Sequence, residues 1–398
     1  MGQRPPHAHP ALVLFALAVG AFAIGTTEFA SMSLLPFFAR DLHIDAPTAG
    51  HAISAYALGV VAGAPVIAAF AARLPRRKLL IGLMAMFAVG NALSALSPDY
   101  HWLLLFRFLS GLPHGAYFGV AALVTAGLVP LERRALAIAQ VMSGLTIATI
   151  IGVPMANWMG QVLGWRSGFL VVAALAILTM TLVALYAPRD KGDPDASPMR
   201  ELGALGRVQV WLTLLTGAIG FGGLFAVYTY VASTMIEVTH VSESWVPVVL
   251  AVFGTGMTLG NLAAAWLADR ALNRTVIGVL LWSAASLALF PLMAGNIWTL
   301  SLSIFLIGMG GGLGTPLQAR LMDVAGDAQT LAAALHHSAF NIANAIGPLL
   351  GGMAIAAGYG LISTGWIGCI LSLGGLTIFL LAIMLERRAA QPVAIACE

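Results

Sequence analysis

Five ionisable side chains stand inside long uncharged stretches of this 398-residue chain: Glu28, Arg107, His114, His336 and His337. Burying such groups in an apolar medium costs several kcal/mol, so they mark ion and solute pathways by default. Glu28 can carry a proton, bound on one side and released on the other. Arg107 must find a carboxylate, a carbonyl or water. His114 follows Arg107 by seven residues, so both share one helix face, and an imidazole suits proton transfer. Proton coupling is assigned to Glu28, with Arg107 and His114 modulating it. The competing readings are a protonated structural Glu, an interfacial Arg that snorkels, and a packed neutral His.

A second group could bind a solute. His337, Asn341, Asn344 and Pro348 fall at i, i+4, i+7 and i+11, on one polar helix face. Lining a wet cavity, they would hydrogen-bond a hydroxylated solute; otherwise they are interhelical contacts worth about 1 kcal/mol each. His336 points off this face and is read as structural. Tyr56, Tyr117, Phe221, Phe225 and Tyr228 are the aromatic candidates for the cavity. No phosphate-binding loop, nucleophile elbow or metalloprotease motif occurs. The two cysteines, Cys369 and Cys397, lack metal-ligand spacing. No catalytic residue, cofactor or metal is expected, and so no enzyme.

These residues need helices to position them. The chain is 60% hydrophobic and only 9% charged, where soluble domains carry about a quarter charged residues. A span of about 20 apolar residues crosses a bilayer. Twelve are expected, over 11–38, 48–72, 78–97, 102–129, 134–163, 168–187, 208–236, 245–268, 275–294, 298–322, 331–356 and 362–385. The first is read as a retained helix and not as a cleaved signal. Alternating strand patterning is absent, so the fold class is all-α. Sixteen of the nineteen Lys and Arg fall on one side, only Arg40 and Arg166 on the other, and Arg107 inside a span. By the positive-inside rule both termini are cytoplasmic. The basic residues then face anionic lipid, and nucleic acid is not called for.

The one long polar segment, 188–207, separates six spans from six. This gives a bundle over 1–187, a cytoplasmic linker and a bundle over 208–398. The bundles echo each other at an offset of 197 residues: Gly63 with Gly260, Gly111 with Gly308, Gly115 with Gly312. Such duplicated halves suit a secondary transporter with a site between them. Span five carries small residues at Gly144, Ala148, Gly152, Ala156 and Gly160, and span eight at Gly256, Gly260, Ala264 and Ala268. Small residues every four positions let helices approach closely. Pro154 should kink span five.

The motifs resemble the major facilitator superfamily, specifically the twelve-span drug:proton antiporters and their sugar-efflux, arabinose-permease-like branch. The resemblance covers nearly the whole chain. It rests on "GTTEF" (25–29), "GAPVIAAFAARLPRRK" (63–78), "RFLSGLPHGAYFG" (107–119), "GLTIATIIGVPMANWMGQ" (144–161) and "LHHSAFNIANAIGPLLGG" (335–352). It implies a pseudo-symmetric fold of two six-helix bundles. It further implies a coupling acid in span one, a span-four Arg that influences proton exchange, and a gating loop at Arg73, Arg76 and Arg77 with a second copy at Asp269 and Arg270. Gly144, Gly152, Pro154 and Gly160 fall in the antiporter motif, and spans five and eight are implied to face each other. Two departures stand out. Ala72 occupies the gating loop's usual acid position, which puts an acid latch there in question. Asn157 occupies a position often held by Gly, which predicts looser packing.

The reading is a monomeric proton-coupled efflux antiporter of the inner or plasma membrane, moving a small solute such as a drug, sugar or nucleoside. The alternative is a proton symporter or uniporter for uptake on the same fold. A channel lacks a charged pore ring, and a membrane enzyme lacks a catalytic constellation.

Overall fold

The structure, a computed structural model, describes residues 9–71, 74–130, 133–190, 206–325 and 329–395. Every regular element among them is a helix. Ten helices among the described residues are long and apolar enough to cross a membrane. One of these, Glu243–Met293, is two helices merged at Ala271, where φ −157° and ψ 75° leave the helical region. The 26-residue helix Ala46–Ala71 stands where span two is expected. The chain is therefore an all-α integral membrane protein with the expected succession of spans. Large apolar side chains such as Phe15, Trp158 and Leu262 are more than half exposed, as a lipid-facing surface requires.

Span one is shorter than the apolar run suggested. It covers Pro10–Ser33, and a separate short helix, Leu35–Asp41, follows. Pro36 lies in the first turn of that short helix, where its missing N–H is harmless.

The chain divides into two compact units, Met1–Pro198 with Tyr228–Thr255, and Met199–Val227 with Gly256–Glu398. Most of the expected linker, 191–205, lies outside the described residues. In the first unit, Gly59 lies on the carbonyl of Phe108 and Gly63 on that of Leu112. In the second, Gly256 lies on the carbonyl of Phe305 and Gly260 on that of Met309. Each residue of the second set is 197 positions after its counterpart. The repeat is thus a repeated backbone contact, between spans two and four and between spans eight and ten. A Cβ at any of these four glycines would strike the opposing backbone.

The glycine stripe of span five has a different partner from the one expected. Gly144 lies on the carbonyl of Ala18, Gly152 on Thr26 and Phe22, and Gly160 on Leu34, all in or just after span one. The stripe of span eight faces span ten. Both stripes are packing within one bundle; the approach of span eight to span five is made by Gly254 on the carbonyl of Thr149. Span five also changes pitch. Arg134–Ile147 is α-helical, Ala148–Gly152 widens into π turns, and Val153–Leu163 is α-helical again. Pro154 explains the change, since it has no N–H for the preceding turn. Asn157 does not loosen this region. It is fully buried, donates through Nδ2 to the Ser33 carbonyl at 2.9 Å and accepts from Gln161 at 2.8 Å. It thereby satisfies a carbonyl at the C-terminal end of span one.

Candidate proton and solute site

Among the buried polar side chains that span one brings into the first unit are Thr27, Glu28 and Ser31. Span four supplies Arg107, only 1% exposed. Its guanidinium donates through Nη1 to Thr27 Oγ1 and through Nη2 to Ser31 Oγ, each at 3.2 Å. These two acceptors lie one helical turn apart and bracket Glu28 in sequence, and Glu28 is electrostatically coupled to both Arg107 and Tyr56. Arg107 is therefore not a snorkelling residue. Its cation lies over the Tyr56 ring at 4.3 Å and over Phe169 at 5.1 Å, contacts worth more when desolvated.

Tyr56 corrects one expectation. It belongs to this cluster, not to a cavity wall: it is 1% exposed, and its hydroxyl is 2.9 Å from His114 Nδ1. His114 is buried too and packs edge-on against Phe118 at 5.3 Å. Spans one, two and four thus join Glu28, Arg107, Tyr56 and His114 in one polar network. Span three adds Asn91, which accepts from Thr27 Oγ1 at 2.7 Å. Tyr117 is corrected as well. It is fully buried, and its hydroxyl donates to the Leu17 carbonyl at 2.8 Å, which makes it a strut between spans four and one.

The repeat does not duplicate this chemistry. The positions 197 residues after Glu28, Tyr56, Arg107 and His114 are Phe225, Phe253, Ile304 and Gly311. The titratable cluster belongs to the first half alone.

Tyr228–Thr255 adds an aromatic group to the first unit. Tyr228 packs on Phe253 at 4.1 Å and edge-on to Phe29 at 5.5 Å. Its buried hydroxyl has no hydrogen-bond partner among the described residues. Arg40 pairs with Glu243 at 2.8 Å, and Gln161 donates to the Glu243 carbonyl at 2.7 Å. In the second unit Phe221 meets Phe225 at 5.4 Å and Phe340 at 4.4 Å, and His336 meets Phe340 at 4.5 Å. Asn341 and Asn344 are buried while His337 is only half-buried. Asn341 donates to the His337 carbonyl at 3.0 Å, and its own buried amide oxygen has no partner among the described residues.

Between Ala46–Ala71 and Arg76–Ala95, Arg73 lies outside the described residues. The backbone N–H groups of Arg76 and Arg77 donate to the Asp190 carboxylate at 2.7 and 3.3 Å. Arg77 Nη2 in turn donates to the carbonyl of Ala184, in the last turn of Arg166–Tyr186. Each helix end is capped by a charge from the other's neighbourhood. Sequence reasoning passed over Asp190 because it begins the polar linker. In the second copy Asp269 is exposed, and Arg270 stacks on Trp266 at 3.5 Å.

Residues 17–292 and 233–395 match the model of the Major Facilitator Superfamily. The chain is 41% identical over 386 residues to "Inner membrane transport protein YdhP" of Escherichia coli K12, covering 96% of this chain and 98% of that one. It is 30% identical over 377 residues to "Probable sugar efflux transporter" of Pasteurella multocida, covering 93% and 91%. A bacterial homologue of the human lysosomal transporter Spinster, solved in an inward-facing, occupied conformation, superposes with a TM-score of 0.74 at 16% identity, covering 96% and 98%. A multi-pass membrane chain with a repeated glycine seam and these matches is a transporter of small molecules, and it belongs to the Major Facilitator Superfamily.

Proposed function

We propose that this transporter expels a small, uncharged or mildly polar organic solute in exchange for protons. The cluster of Glu28, Arg107, Tyr56 and His114 carries this reading, since Glu28 is the one acid lying well inside a span. The two six-helix halves, 1–187 and 208–398 with the linker 188–207 between them, rock about a central site by alternating access. Protonated Glu28 accompanies solute release outside, and deprotonated Glu28 accompanies solute capture inside. Phe221, Phe225, Tyr228, His337, Asn341 and Asn344 supply aromatic faces and amide groups to the cargo. The Tyr228 hydroxyl and Asn341 oxygen support this, because neither has a polar partner among the described residues and a hydroxylated solute or water can provide one.

The protein acts as a monomer in the inner or plasma membrane, with both termini cytoplasmic and its basic ends against anionic lipid. Arg73, Arg76, Arg77, Asp269 and Arg270 gate the cytoplasmic side. That one relative is named a sugar efflux transporter supports export over uptake. The test is proton release from the purified protein in proteoliposomes, screened against pentoses, nucleosides and chloramphenicol. Saturable solute movement with no accompanying proton flux would refute the proposal.

A further inference from the structure

Arg107 is held by two hydroxyls whose own protons are already committed. Thr27 donates its proton to Asn91 Oδ1 at 2.7 Å. Asn91 is fixed in that sense because its Nδ2 donates to the Phe87 carbonyl at 2.9 Å. Ser31 donates its proton to the backbone carbonyl of Glu28 at 3.1 Å. A hydroxyl has one proton and two lone pairs, so both oxygens turn lone pairs toward Arg107. Thr27, Ser31 and Asn91 are each 1% exposed or less. Hydrogen bonds therefore run one way, from Arg107 through Thr27 and Asn91 to Phe87.

We infer that Thr27, Ser31 and Asn91 are positioning residues that set how strongly Arg107 acts on Glu28; this rests on reading Glu28 as the proton carrier. The two neutral hydroxyls compete with the carboxylate for the N–H groups of one guanidinium. An arginine–carboxylate bond joins two ionised groups and can be bidentate, whereas an arginine–hydroxyl bond has only its donor ionised, so the carboxylate is the stronger acceptor. Once a hydroxyl is removed, the freed N–H turns to the anionic acceptor in reach, and Glu28 becomes harder to protonate. The titratable groups near this part of span one are Arg107 and His114 from span four, Tyr56 from span two and Tyr228 from the 228–255 segment, while Tyr117 meets span one farther off, at Leu17. Spans three, five and six contribute none in their interiors. Of these groups, Arg107 is the one bonded to Thr27 and Ser31.

Infrared titration of the purified full chain reads this without any cargo. The protonated-carboxyl band that Glu28→Gln removes reports Glu28. Thr27→Val keeps the shape and loses the hydroxyl; it is expected to move the midpoint of that band about one pH unit to the acid side, a tenfold change in proton affinity. Thr27→Ser should restore the native midpoint, and Asn91→Leu should move it the same way as Thr27→Val. Ser31→Ala gives the same readout if Thr27→Val does not fold. A midpoint that stays put, or moves to the alkaline side, in folded Thr27→Val or Ser31→Ala overturns the inference. If Glu28→Gln removes no titrating band, the assignment of Glu28 as proton carrier fails instead.

Discussion

Tyr56 and His114 share a hydrogen bond of 2.9 Å between the phenol oxygen and Nδ1, and the ring of the same tyrosine faces the Arg107 guanidinium at 4.3 Å. Tyr56 therefore links two groups that lie seven residues apart on another helix. Its ring and its hydroxyl do separate things. Tyr56→Phe keeps the ring under Arg107 and loses the bond to His114. Proton-driven transport should fall several-fold, while Tyr56→Ala, which loses both, should fall at least tenfold. In a His114→Ala background, Tyr56→Phe should add little, because the two act through one bond. Full additivity in that double-mutant cycle would contradict the link.

Gly152 tests the packing of span five on span one. A Cβ there would collide with Thr26 Oγ1 and come within 3.0 Å of the Phe22 ring. Gly152→Val should destabilise the protein by about 1–3 kcal/mol, as overpacking typically does. Thermal unfolding in detergent measures it, and an unchanged melting temperature would show that span one can yield.

Much of the architecture was legible because apolar run length and charge sidedness are properties of sequence alone. The repeat was legible too, since glycines forced by backbone contact recur at fixed spacing. The partner of a glycine stripe was not: Gly144, Gly152 and Gly160 specify close approach to some helix without naming it. The polar cluster was half legible. Glu28, Arg107 and His114 stand out as ionisable groups in apolar runs, and Asn91, Thr27 and Ser31 do not, being neutral and common in membrane helices. Tyr56 and Tyr117 looked alike as spare aromatics. Only three-dimensional contact separates a tyrosine that meets Arg107 from one that meets the Leu17 carbonyl.

Asp190 offers a test at the start of Arg76–Ala95. Its carboxylate accepts from the first two N–H groups of Arg76–Ala95, whose N-cap residue, Pro75, makes no side-chain cap of its own. Asp190→Ala should cost about 1 kcal/mol, the usual value of a lost cap. Pro75→Asp, which caps the same turn from within, should recover it in the Asp190→Ala background. Failure of that rescue would mean that Asp190 matters for the path of the linker and not for the helix end.

The Arg166 guanidinium, and then the Trp165 indole N–H, hold the Asp41 carboxyl below its ordinary value of 3.8. A carboxyl depressed by folding stabilises the protein above its unfolded pKa, and this is lost as pH falls through the lower folded value. Wild type should therefore be more stable than Asp41→Asn at pH 7, and the gap should close below about pH 4. Both side chains are nearly half exposed, so the gap should stay below about 1 kcal/mol. Melting temperatures across pH 3–7 measure it, and a gap that widens toward acid would reverse the sign.

The central claim is that Glu28 carries the exchanged proton. Its most direct test compares Glu28→Gln with wild type in proteoliposomes, using whichever solute the proton-release screen selects. The account predicts that the variant still exchanges labelled for unlabelled solute but no longer concentrates it against its gradient when a pH gradient is imposed. A Glu28→Gln protein that still accumulates solute at the expense of the proton gradient would contradict it.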